Sequence, residues 1–410
     1  MTPSAPQSIE ELGIPPFMVQ DLVLRYLREH GTSSLTTLRR GLKLSYPVVN
    51  EIFQQLRQQQ WLDVRGTVGN DYLFSLTGGA REYTAERSEL CRYAGATPVP
   101  LNQYTEMVKS QRAFCLPTME SLHEAFADLV LSEELLDRLG PAVVSGKPVF
   151  IYGPSGNGKT SIIERLPRVF EDSVLIPYAI EVDTHVISVF DPLIHHPVEA
   201  GAEHGADERW VRCRRPCVMA AGELVYSMLN LRLDEHSGVY GAPLQLKANN
   251  GILLIDDFGR QAMSPRELLN RWILPLDRHV DYLSLQYGLT FPIPFELLLA
   301  FATNLDPSEL ADEAFLRRVP NKIYVSAVSD ERFDEILRRT LSARGMPFDP
   351  EMAVYLRKIC RERNPDGLRA CYPGDICEIL SAAARFHVEP VRIDRERLTL
   401  AADTYFTRSS

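Results

Sequence analysis

The sequence predicts an α/β fold, a parallel sheet flanked by helices, on three observations. An apolar run at residues 148–152 leads directly into Gly-Pro-Ser-Gly-Asn-Gly-Lys-Thr at 153–160. A second run, at 251–255, ends in Asp256 and Asp257, and a third, at 295–303, ends in Asn304. Short apolar stretches closed by polar residues are the pattern of strands buried on both faces, as in a parallel sheet covered by helices. Two further units flank this one. The expected division is an N-terminal domain at 1–95, a linker at 96–117, the α/β domain at 118–328 and a helical lid at 329–410.

The first run and its loop form a Walker A motif. Gly153, Gly156 and Gly158 let the backbone adopt conformations closed to residues with a Cβ, so successive N–H groups converge on a polyphosphate. Pro154, Ser155 and Asn157 complete the loop, and Lys159, Thr160 and Ser161 open the helix that follows. Lys159 is expected to reach the β- and γ-phosphates of ATP, Thr160 to hold Mg²⁺, and the helix to add its positive dipole end. The second run reads as Walker B. Asp256 is expected to hold Mg²⁺ through water and Asp257 to polarise the attacking water. Asn304 suits the task of positioning that water against the γ-phosphate.

Composition sets outer limits. At 410 residues the chain is long enough for about two to four domains. The net charge of −10 argues against a surface built for nonspecific nucleic-acid binding. That charge is uneven, because residues 1–100 hold ten Lys and Arg against ten Asp and Glu. The first residues lack the pattern of an export signal and no apolar stretch approaches membrane-spanning length, so no membrane insertion and a cytoplasmic location are expected. Seven scattered cysteines suit reduced thiols. Cys213 and Cys217 do not have the usual zinc spacing and read as buried thiols.

In the N-terminal domain, residues 19–27, 34–42 and 46–60 carry helical apolar spacing, with a turn at 43–45. Two β-like segments follow at 61–65 and 72–76. This order resembles a winged-helix domain. The resemblance implies that the 46–60 helix enters a DNA major groove, offering Asn50, Gln54, Gln55, Arg57, Gln58 and Gln59, with Arg39, Arg40 and Lys43 nearby. The cationic footprint is thin for duplex DNA. A protein-docking or oligomer-organising role is the competing expectation.

Residues 312–319, Asp-Glu-Ala-Phe-Leu-Arg-Arg-Val, complete an ordered set with the loop at 153–160, the carboxylates at 256 and 257, and Asn304. This set resembles the AAA+ ATPases. The resemblance implies a P-loop domain with a helical lid, assembled as a homo-oligomeric ring, usually a hexamer, that hydrolyses ATP to remodel or assemble a protein client or nucleic acid. It also implies an arginine finger donated in trans, Arg318 first and Arg317 second. Residues 372–380 are similar to a sensor 2 element, but Cys377 stands where its arginine belongs, so either Arg369 substitutes from just upstream or coupling between nucleotide and lid is weakened. Aspartate at 257, where most members carry glutamate, resembles the transposition-helper and helicase-loader branch. The alternative function is a nucleotide-gated DNA-binding regulator with little turnover. Between the two Walker motifs, Arg209, Arg212, Arg214 and Arg215 are expected either to face a ring channel or to pair with local acids, and 218–232 to form an amphipathic helix.

Overall fold

The computed structural model describes residues 3–69, 71–112, 117–199 and 205–406. Residues 113–116 of the expected linker, which include Cys115, and 407–410 of the expected lid lie outside that description.

The N-terminal unit runs α1 (Pro16–His30), β1 (Ser33–Ser34), α2 (Leu35–Leu42), α3 (Tyr46–Gln58), β2 (Leu62–Val68), β3 (Asp71–Leu76) and α4 (Gly78–Leu90). Ser34 caps α2 by accepting from the Thr37 N–H, and Lys43 ends it in the left-handed region. Val48, Val49, Ile52, Phe53 and Leu56 repeat at helical spacing on α3 and are all buried. The strands form one antiparallel sheet in the order β1-β3-β2. Helix α4 was not expected. It buries only Ala80 and Thr84, too few apolar residues to show a period.

Residues 96–117, expected as a linker, are not one. They carry β4 (Val99–Pro100) and α5 (Leu101–Ser110), and Val99, Tyr104 and Val108 are buried in a core. Prolines 98 and 100 read as breakers, but β4 is an edge strand, where a missing N–H is tolerated. The chain continues through α6 (Met119–Ala125), α7 (Glu133–Ser145), β5 (Val149–Tyr152) and α8 (Lys159–Arg165).

Next come β6 (Ser173–Pro177), β7 (Ala179–Val182), β8 (His185–Ser188), β9 (Trp210–Arg214), β10 (Cys217–Ala220), β11 (Arg232–Asp234), β12 (Val239–Gly241) and α9 (Leu244–Lys247). Then follow β13 (Ile252–Ile255), α10 (Pro265–Arg278), β14 (Val280–Ser284), β15 (Thr290–Pro294), β16 (Leu298–Thr303), α11 (Pro307–Leu310), α12 (Glu313–Leu316) and β17 (Asn321–Tyr324). The C-terminal unit is helical: α13 (Asp330–Ala343), α14 (Pro350–Arg363), α15 (Tyr372–Phe386) and α16 (Arg395–Tyr405).

The central sheet is five-stranded and wholly parallel, in the order β10-β13-β16-β5-β17. Alternate residues along its strands enter opposite layers. Val149, Ile151, Ile252, Leu254, Leu298 and Ala300 pack with α6, α7 and α8, whereas Phe150, Leu253, Ile255, Leu299 and Phe301 pack with α10 and Phe315. A second sheet, β11-β12-β8-β7-β4, with the hairpin β14-β15 and the pair β6-β9, forms a separate core that no sequence pattern announced.

One expectation about this region fails, and another meets one of its two alternatives. Residues 218–232 are not a helix, because Cys217–Ala220 pair with β13 as the edge strand of the central sheet. Of the two alternatives for the arginines, pairing with local acids is the one that Arg209 and Arg215 meet. Arg209 is 1% exposed and clasps Asp207, with Nε at 3.0 Å from Oδ1 and Nη2 at 2.9 Å from Oδ2. Arg215, also buried, donates to Asp172 at 2.7 Å and to the Asn250 carbonyl at 2.7 Å. A buried guanidinium is retained only where carboxylates and carbonyls take its protons, so the local pairing governs both residues. Among the described residues no group of His, Cys, Asp or Glu could hold a metal around Cys213, and no helix is long and apolar enough to cross a membrane.

Candidate nucleotide site

The site forms at the carboxyl ends of β5, β13 and β16, where open parallel sheets place their ligands. The loop at 153–160 leaves β5 and enters α8, with Gly158 in the left-handed region as the N-cap. Glycine is required at two further points. A Cβ at Gly153 (φ 135°) would lie 2.4 Å from the Val325 carbonyl oxygen, and one at Gly156 (φ 79°) would lie 2.6 Å from Cys371 Sγ. Lys159 Nζ donates to the carbonyls of Gly153 at 2.9 Å and Pro154 at 3.0 Å. Burial holds its pKa below the ordinary value, against the pull of Asp257 and Asp256.

Thr160 and Asp256 meet directly, the hydroxyl donating to Oδ2 at 2.8 Å. The other carboxylate oxygen of Asp256 accepts from the Asp257 N–H at 2.8 Å. Asp257 is exposed and takes φ 45°, a left-handed position that aspartate tolerates better than most residues. Gln261, which the sequence did not flag, fixes this turn by donating to the carbonyls of Asp256 at 2.8 Å and Asp257 at 3.2 Å. Thr303 joins the turn to the end of β16, donating to the Phe258 carbonyl at 2.8 Å and accepting from the Leu305 N–H at 3.1 Å. Asn304 is thereby held at the same cleft as Lys159, Thr160, Asp256 and Asp257, whose volume is about 540 Å³.

The C-terminal helical unit closes the cleft. Arg369 Nη1 donates to Ser155 Oγ at 3.0 Å, the Ala370 N–H to Asn157 Oδ1 at 3.1 Å, and the Cys371 N–H to the Gly156 carbonyl at 2.9 Å. Three consecutive residues thus grip the loop. Cys377 is elsewhere, 2% exposed in the helical core, and burial pushes its thiol up to about 11. Arg369, the substitute named from the sequence, reaches the loop, whereas Cys377, which stands in the expected arginine's place, does not.

The residues present fit a magnesium nucleotide. Asn157 Nδ2 and Arg369 Nε are buried donors with no partner among the described residues, at the loop where phosphate oxygens would accept from them. Thr160 and Asp256 supply a hydroxyl and a carboxylate, the hard oxygen donors that magnesium takes. Leu129, Val130 and Leu131 from the segment before α7 and Ile336 from α13 give the cleft an apolar wall for a base.

Arg317 and Arg318 are not in this cleft. They line another, of about 860 Å³, together with Asp277 and Lys147. Arg318 is tied to Asp277, with Nε at 2.8 Å from Oδ1 and Nη2 at 2.8 Å from Oδ2, while Arg317 is exposed.

A family model described as "Domain of unknown function (DUF8689)" matches residues 329–404, the helical C-terminal unit. No curated protein matches the sequence. Among solved structures, a RuvB variant of Thermotoga maritima is similar with 13% identity and a TM-score of 0.38, over 66% of this chain and 69% of that one. NtrX from Brucella abortus is similar with 11% identity and a TM-score of 0.42, over 88% of this chain and 63% of that one. The Thermotoga maritima RuvB Holliday junction branch migration motor has 14% identity, a TM-score of 0.35 and 72% coverage of each chain. Such scores leave the reading of the site to its own geometry.

Proposed function

We propose that this chain is an AAA+ type ATPase, hydrolysing ATP at the boundary between copies of itself in a ring. The observation that carries this reading is the Thr160 to Asp256 contact of 2.8 Å, set between a glycine loop and the exposed carboxylate of Asp257. Bound magnesium would neutralise charge on the phosphates. Lys159, released from the Gly153 and Pro154 carbonyls, holds the β- and γ-phosphates. Asp257 accepts a proton from the attacking water while Asn304 orients it. Arg318 comes from the adjacent copy and meets the charge developing on the γ-phosphate. The apolar wall takes the base, and Arg369 reports the phosphates to the lid.

The test is turnover per subunit against protein concentration from nanomolar to micromolar, with Lys159→Ala as the reference. A rise with concentration in the native chain, absent from the variant, supports the reading. Flat specific activity with intact ATP binding would argue against an active site completed in trans.

The client remains a choice between protein and duplex DNA, and one observation favours protein. The N-terminal end of α3 faces this chain's own second sheet unit, across a cleft of about 660 Å³ lined by Tyr46, Lys43, Tyr178 and Arg212. Arg39, a cation wanted for DNA phosphates, pairs instead with Glu208 at 3.2 Å. The end of a recognition helix that contacts base edges in helix-turn-helix proteins therefore faces this chain itself. ATPase stimulation by duplex DNA that fades with added salt would reverse this preference.

A further inference from the structure

The ion pair between Arg318 and Asp277 joins two separate elements. Asp277 lies in the last turn of α10, and Arg318 follows α12. Arg318 Nε donates to both Asp277 oxygens, at 2.8 and 2.9 Å, Nη2 donates to Oδ2 at 2.8 Å, and Nη1 donates to the Ala314 carbonyl at 2.9 Å. A guanidinium has five N–H donors in one plane. Three are engaged, which leaves one on Nη1 and one on Nη2, a pair suited to two oxygens of one phosphate. Helix α10 is itself immobilised, because Leu268, Leu269 and Trp272 are buried under the central sheet. Asp277 is therefore a fixed anchor. An ion pair this exposed adds little to stability, so its consequence is geometric. Among the described residues Arg317, one residue away, has no such anchor.

We propose that Asp277 is the positioning residue for the donated arginine: its carboxylate aims the free N–H pair of Arg318 at the γ-phosphate held by the adjacent copy. This rests on the reading of Arg318 as a residue supplied in trans. An unanchored arginine samples many rotamers, and each rotamer lost on entering the transition state lowers turnover without touching ATP binding. The wall around the anchor suits an anion, since Arg317 and Lys147 line the same cleft.

The experiment uses the full chain and four variants: Asp277→Ala, Asp277→Asn, Asp277→Glu and Arg318→Ala. Three quantities are read: kcat, the Kd of a fluorescent nonhydrolysable ATP analogue, and the elution volume with that analogue present. Expected are a fall in kcat of about ten- to a hundredfold for Asp277→Ala and Asp277→Asn, unchanged Kd and elution, and partial recovery in Asp277→Glu. The double variant Asp277→Ala with Arg318→Ala should be no slower than Arg318→Ala alone. Unchanged or raised kcat in Asp277→Asn overturns the proposal, and so does loss of assembly in both Asp277→Ala and Asp277→Asn. Full turnover in Arg318→Ala instead brings down the trans-arginine reading, which separates the two failures.

Discussion

Thr160 and Asp256 stand 96 positions apart in the chain, yet the hydroxyl already bonds the carboxylate. Their motifs were legible because strand, glycine loop and paired carboxylates each leave a local pattern. Replacing Thr160 by Ala would remove the proposed metal donor, so Thr160→Ala should lower kcat at least about a hundredfold with little change in Tm. Chelating magnesium should have the same effect on the native chain. Arg369 was legible only as a substitute set against weakened coupling, because spacing within α15 cannot say how that helix meets the loop. The answer is tertiary: α15 starts at Tyr372 and turns Cys377 inward, so the preceding residues make the contact. Arg369→Ala should weaken ATP binding by about tenfold and leave ADP binding nearly unchanged, read by titration with fluorescent analogues. Asp277 carries a pH expectation. Its hydrogen bond from Arg318 holds its carboxyl below the usual value of 3.8, so the anchor is intact above that value and lost only as pH falls through the lowered one. The rate profile between pH 6 and 9 should therefore show no limb that disappears in Asp277→Asn.

At the scale of elements, the strands that announced themselves are buried on both faces. β5, β13 and β16 lie in the interior of the central sheet and are apolar at nearly every position, which no amphipathic helix would be. β10 is an edge strand, its Met219 half exposed, and the apolar residues after it fall at helical intervals, so its period misled. The second sheet was invisible for a related reason: its strands are two to four residues long and assembled from three stretches of the chain. Helix α10 shows what holds the layers. Trp272 is fully buried against Phe301, yet its indole N–H has no hydrogen-bond partner among the described residues. Trp272→Ala should cost about 3–5 kcal/mol in urea unfolding through the cavity it leaves. Trp272→Phe should cost less than about 2 kcal/mol, because it keeps most of the packing and removes an unsatisfied donor.

Over the whole molecule, the N-terminal unit is joined to the rest through its own backbone. Arg209 Nη1 donates to the carbonyls of Leu12 and Pro98, each at 3.3 Å, while Asp207 takes the other side of the guanidinium. The first residues lie along the same seam, with the Asp207 N–H donating to the Pro3 carbonyl at 2.9 Å and the Ile9 N–H to Glu51 of α3 at 3.0 Å. Arg209→Ala leaves the Asp207 carboxylate buried and unpaired, and should cost about 3–5 kcal/mol. Sequence reading gave a domain on a linker because prolines and weak periodicity mark both true tethers and short edge strands. What the seam removes is slack. Any rotation that the proposed ATP turnover imposes on the α/β body should then be carried to α3 through the same angle, as the tip of a stiff lever follows its base. A pair of dyes on α3 and α7 should then keep one separation through the whole cycle.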